Sequence, residues 1–327
     1  MTRTLAAGDL IANRYRLEAV LDNTLDWTCV WFGEDTLLLR PVTVRTLDPT
    51  HKQTADVLTA ARAAASVDDA GFIRILDISN GEDAGTEHIV SSFIQAELVA
   101  DILTEGSLDP IEAADLIADI ADCVAHAHDK GLIHGSLDPV HVLVAPGGEA
   151  AIINLGVAQA ISNNDQASIE DDVRHLGALL YACLTSRWPL SGVAGIPAAV
   201  VEKGHVIAPR KARANVPHAL DQLCRRALGE VVGDDAPIDS AREFAVALRS
   251  FLGRSGTTAS QRLERRQNTG PIKTVEKIRK RGVGAIIIAV VAILLAGLIY
   301  LGFEVLNTTL GEPNGSPAPG PQSGSSP

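Results

Sequence analysis

The sequence predicts an α+β chain with a β-rich lobe, a following α-helical lobe and one membrane-crossing helix. Three observations carry this expectation. Strand-like runs crowd the first 95 residues around a single helical stretch, and helical periodicity dominates from 110 to 252. The third is the uncharged apolar run GVGAIIIAVVAILLAGLIYLGF at 282–303. Strands first and helices later imply two unlike lobes rather than an alternating parallel sheet.

The elements follow in order. Residues 15–21 and 30–34 read as strands separated by the turn-like Asp22-Asn23-Thr24. Pro41 opens a third strand over 42–47, and the Ala-rich stretch 52–67, without Gly or Pro, favours helix. Residues 72–78 and 88–93 read as two more strands. Asp109-Pro110 is an N-cap and first-turn pair. It opens a helix over 111–129 whose Ala113, Leu116, Ile117, Ile120 and Val124 share a stripe. Further helices are expected over 170–184, 216–228 and 240–252.

The net charge of −12 hides an asymmetry: residues 1–253 carry −17, residues 254–281 carry +7 and residues 282–327 carry −2. So acidic a domain disfavours nucleic acid as a partner. Cys29, Cys123, Cys183 and Cys224 form no CxxC pair, which disfavours a zinc site or a disulfide framework. At 1.5 Å per residue the apolar run would span about 33 Å, enough for a bilayer core of about 30 Å. Basic residues crowd its N-terminal side, so the expected topology is single-pass in the cell membrane, N-terminus cytoplasmic and C-terminus outside. The start MTRTLAAGDLIANRYR has no apolar run, and no cleavable signal peptide is expected. The chain then divides into a cytoplasmic domain (1–253), a basic juxtamembrane linker (254–281), a transmembrane helix (282–303) and a disordered Pro/Gly/Ser-rich tail (304–327).

Residues 132–144, LIHGSLDPVHVLV, resemble the HRDLKPxN catalytic loop of protein kinases, with His134, Leu137, Pro139, Leu143 and Val144 matching. Asn154-Leu155-Gly156 stands where that family has DFG, and VTVR at 42–45 where it has VAIK. Residues 171–190 resemble the family's αF helix, with Asp172 at its aspartate, and 240–252 resemble the last helix of bacterial Ser/Thr kinases. The resemblance covers about 15–252 and implies a two-lobed protein kinase-like fold. With a basic linker and one membrane span, the chain also resembles receptor-type kinases of actinobacterial cell-wall control.

Phosphoryl transfer needs a phosphate anchor, positioned metal and a carboxylate to orient the attacking hydroxyl. Carried over through the resemblance, each position is altered. The phosphate loop has no glycine and holds Asp22 and Asp26; the anchoring lysine is Arg45, and the helix glutamate is Ala60. The base is Ser136, the following lysine Asp138, the metal-binding asparagine His141 and the metal-binding aspartate Asn154. Val30, Thr43 and Leu143 would line a vestigial nucleotide pocket. His134, Leu155 and Asp172 are the retained spine, Asp172 accepting loop N–H groups. Only 15 residues separate Gly156 from Asp172.

The expectation is therefore a catalytically inactive, membrane-anchored kinase-like scaffold in envelope or peptidoglycan signalling: not an enzyme, with no cofactor and no metal. An ATP-binding sensor and a divergent active Ser/Thr protein kinase are the alternatives. The chain resembles membrane-anchored actinobacterial pseudokinases, among them the domain fused to the lipid II flippase MviN. That resemblance implies an upstream Ser/Thr kinase, a phosphorylated Thr269 in RRQNTGPIK and a forkhead-associated domain as partner, beside the lipid bilayer. His126 and His128 read as polar residues at a helix end, favoured there by the dipole.

Overall fold

The computed structural model describes residues 5–79, 86–164, 166–193 and 195–255. Most of the basic linker, with Thr269, the apolar run 282–303 and the tail 304–327 lie outside the described residues. Among the described residues no helix is long and apolar enough to cross a membrane.

The N-terminal lobe is an antiparallel sheet of six strands: β1 (Leu10–Ile11), β2 (Tyr15–Leu25), β3 (Thr28–Asp35), β4 (Arg40–Leu47), β5 (Ile75–Ile78) and β6 (Glu87–Ser92). Their order is β1-β2-β3-β4-β6-β5, and helix α1 (Thr54–Ala64) follows β4. Strand β4 shows how the period of two divides the lobe. Val42 and Val44 are fully buried against Tyr15, Leu17, Trp31 and Val90, whereas Thr43 and Arg45, on the other face, are half-buried.

Strand β2 departs from the sequence expectation: it continues through Asp22-Asn23-Thr24 to Leu25. Register shifts between Val20 and Asp22 and between Asp22 and Leu25 absorb the turn residues as bulges, and Thr24 N–H bonds Asp22 Oδ1 at 3.0 Å. The β2–β3 connection shrinks to Asp26-Trp27. Trp27 stacks on His51 with ring centroids 4.0 Å apart, and its carbonyl accepts from Asp48 N–H at 2.8 Å.

The second lobe begins with β7 (Glu97–Leu98), α2 (Val99–Glu105) and α3 (Pro110–Asp129). Asp109 caps α3 by accepting from Ile111 N–H at 2.9 Å, with Pro110 in the first turn, and the predicted stripe is buried. Short strands β8 (Val142–Val144) and β9 (Ala150–Ile152) pair beside β7, and α4 (Val157–Ser162) leads to α5 (Ile169–Thr185). Helix α5 opens on a Ser168–Asp171 capping box, and every residue from 176 to 184 is buried. A helix covered all round is a central core element. The strands β10 (Val201–Glu202) and β11 (His205–Val206) and the helices α6 (Pro209–Ala212), α7 (His218–Ala227) and α8 (Ala241–Arg254) complete the lobe. Gly177 lets α7 approach α5: an added Cβ would lie 2.9 Å from the Ala227 carbonyl carbon. Arg249 fixes α8 to α3 through Asp119 at 2.6 Å and Asp122 at 2.9 Å. All four cysteines are free thiols, and burial pushes Cys183 up to about 12, too high for a nucleophile at neutral pH.

Candidate functional site

The site is built where the sheet of the first lobe meets the loop between α3 and β8. Asp172, fully buried at the start of α5, organises that loop. Its Oδ2 accepts from the His134 backbone N–H at 2.7 Å and its Oδ1 from the Gly135 N–H at 2.9 Å. The His128 ring Nε2 adds a third contact at 2.9 Å. Burial pushes the Asp172 carboxyl up, but the contacts with His128, His134 and Gly135 outweigh it and hold the group below the ordinary aspartate value. His134 is itself buried, and its Nε2 donates to the Ile153 carbonyl at 2.9 Å. Burial, with His141 nearby, pulls its pKa down to about 4, so the ring is neutral at pH 7. Leu155 is buried in the same lobe.

Ser136 follows, half-buried, its N–H 3.4 Å from His134 Nδ1. Asp138 Oδ1 accepts from the Val140 N–H and lies 2.9 Å from His141 Nδ1. A carboxylate oxygen accepts, so that contact places a proton on Nδ1. The His141 carbonyl accepts from Ile153 N–H at 3.0 Å, which joins the loop to the turn at Asn154. Asn154 has φ of 62°, a left-handed conformation that asparagine tolerates, and Gly156 has φ of 65°. Ala60 on α1 borders this turn: its Cβ lies 3.8 Å from a Cβ built at Gly156.

From the sheet side, Arg45 reaches Asn154 Oδ1 with Nη2 at 3.3 Å and Thr28 Oγ1 with Nη1 at 3.4 Å. Burial pulls the guanidinium down to about 10 against the attraction of Asp22, and it stays charged at neutral pH. Val30 and Thr43 share the half-buried face with Arg45, and Leu143 is half-buried on β8. Phe32, on that face, meets Phe93 edge-on at 4.9 Å. The glycine-less hairpin at Asp26-Trp27 is fastened by Trp27 to His51 and Asp48.

Sequence reasoning missed two of these partners. Thr28 sits in what was read as a loop. His128 was read only as a helix-end residue, and its partner Asp172 lies 44 positions away.

A divalent cation of the kind kinases use does not fit this donor set. Asn154 offers a neutral amide oxygen that already faces Arg45, and His141 offers an imidazole whose Nδ1 faces Asp138, whereas Mg²⁺ prefers charged oxygens. Among the described residues no group of three or more His, Cys, Asp or Glu is placed to hold a metal.

A small antiparallel lobe, a helical lobe and a loop tied to a buried aspartate define a kinase-like fold. The chain is similar to serine/threonine-protein kinase PrkC of Bacillus subtilis (strain 168), 22% identical over 248 residues, which covers 67% of this chain and 38% of the relative. It is also similar to serine/threonine-protein kinase pkn2 of Myxococcus xanthus, 26% identical over 195 residues and covering 50% and 23%. A third relative is the probable serine/threonine-protein kinase PknB of Corynebacterium glutamicum, 25% identical over 167 residues and covering 48% and 25%. The chain thus spans under two-fifths of the length of these curated relatives. No family model matches it. These similarities support a kinase-like family. They also overturn the expectation of a non-enzyme, because the relatives are named as kinases and suggest a kinase enzyme.

Proposed function

We propose that this chain is a divergent Ser/Thr protein kinase whose two lobes hold a nucleotide and the hydroxyl of a protein acceptor. The observation that carries this reading is the Asp138–His141 pair, 2.9 Å apart in the loop that resembles the kinase catalytic loop. A carboxylate on Nδ1 orients the ring and leaves Nε2 as the base, the logic of an acid-oriented imidazole. In the proposed step Nε2 takes the acceptor hydroxyl proton, the hydroxyl oxygen bonds the terminal phosphorus, and the bond to the diphosphate leaving group breaks. Arg45 faces the phosphates. The similarity to named Ser/Thr kinases supports the same reading.

The test is phosphate incorporation from terminally labelled ATP into serine or threonine of a generic acceptor by the purified full chain. Incorporation should fall about 100-fold or more in His141→Ala, in line with loss of a general base, and less in Asp138→Asn. ATP binding without incorporation would overturn transfer and leave nucleotide sensing. The proposal includes a seat on the cytoplasmic face of a membrane through 282–303, and Thr269 as a phosphorylated docking point for a forkhead-associated partner in envelope signalling. Their support is the sequence: the uncharged run, the +7 linker before it and the threonine within that linker.

A further inference from the structure

Arg45 differs from other half-buried arginines in what surrounds it. Arg14, Arg225 and Arg226 each meet a carboxylate at 3.0 Å or less. Arg213 has two carbonyl acceptors, at 2.6 and 3.1 Å. Arg45 has, among the described residues, only the neutral oxygens of Thr28 and Asn154, at 3.4 and 3.3 Å. Among the described residues no carboxylate lies within ion-pair distance of it, and Asp22 acts on it only through space. A guanidinium has five N–H donors in a planar fork, so most remain available. A charge withdrawn from water without a counter-charge in contact is unfavourable until an anion completes it, and the fork matches phosphate oxygens.

The second observation is on the facing turn. Asn154 stands where the resemblance puts a metal-binding aspartate, and its amide oxygen is turned to Arg45. The positive charge at that position is thus supplied from within the chain.

We infer that Arg45 takes the place of a divalent cation, so that Arg45 and the facing turn bind the phosphates of a polyphosphate ligand directly and without Mg²⁺. For the ligand's identity as a nucleotide the inference rests on the proposed function; for its independence of metal it rests on the surroundings of Arg45. Free Mg²⁺ then competes with Arg45 for the phosphate oxygens.

The experiment is a thermal-melt titration of the full chain with ATP, adenosine and sodium tripolyphosphate, each in EDTA and in excess Mg²⁺. ATP should raise Tm in EDTA, with a smaller rise in Mg²⁺ and little from adenosine. Arg45→Gln should weaken ATP at least about tenfold, the loss of one charge-assisted contact, and Arg45→Lys should weaken it less. Should Arg45→Gln melt before titration, Arg45→Lys and the Mg²⁺ dependence of the wild type still decide. A rise with ATP seen only in Mg²⁺ overturns the metal-free site and leaves the kinase reading standing. A rise with tripolyphosphate but none with ATP overturns the nucleotide reading and leaves the anion site. No rise with any ligand overturns both.

Discussion

Asp172 and Arg45 are both charges drawn out of bulk water near the same turn, yet their surroundings are opposite. Asp172 receives three N–H groups at 2.7 to 2.9 Å, all from within the chain, which fill most of its acceptor sites. Arg45 makes two long contacts with neutral oxygens. The first region is a finished structural joint. The second is, on the inference above, the place where an anion from outside would complete the charge. The distinction follows from arithmetic of donors and acceptors, not from position in the chain.

The largest test of that distinction is to break the joint. Asp172→Ala should cost about 3–5 kcal/mol, because a buried network loses its acceptor and two backbone N–H groups are stranded; urea unfolding of the full chain measures it. A loss below about 1 kcal/mol in the variant would show that Asp172 is not a structural joint.

Acid should act on the same joint through His134. Its folded pKa of about 4 lies below the ordinary value of 6.5, so the unfolded chain binds the proton first. Its contribution is complete above pH 6.5 and declines as pH falls toward 4, at most about 3 kcal/mol by linkage. Asp172, also depressed, adds its loss at still lower pH. Unfolding midpoints measured across pH 4–7 should fall with acid, and His134→Gln should flatten the slope. An unchanged slope would show that the His134 ring does not carry the acid sensitivity.

Trp27→Ala should cost about 1–3 kcal/mol, from the lost stack on His51 together with lost packing on the cluster of Leu47 and Val57, read by the same unfolding curves. Arg45→Gln should, by contrast, change stability without ligand by no more than about 1 kcal/mol, with stabilisation the expected sign, since an uncompensated charge is removed. A loss of several kcal/mol would show that Arg45 is as structural as Asp172.

Much of the scaffold was readable because its signals are local. Asp109-Pro110 states a helix start by chemistry alone, and the Val42/Thr43/Val44/Arg45 alternation states which face of β4 is buried. The β2–β3 hairpin is legible, but its turn is misplaced to Asp22-Asn23-Thr24, because three turn residues in a row look like a break, whereas two bulges carry the strand through them. Helix α4 was missed because six residues have little propensity to spare. Gln53, over 100 positions earlier, donates to the carbonyls of Ala160 and Ile161 at its end, a long-range cap that no local pattern announces. At the site, the identities at 45, 136, 138, 141 and 154 were legible, but their pairing was not. Asp138 and His141 were read as two separate departures, and only the structure shows them in contact with each other.

The Asp26-Trp27 hairpin has a kinetic consequence. Because Trp27 is fastened to His51 and Asp48, this turn is already seated and has no glycine to give it swing. A ligand arriving at Arg45 would not wait for that flap to close, nor would its departure wait for the flap to open. Exchange should therefore be quick, and occupancy should follow the ambient concentration moment by moment, as a gauge does rather than a latch.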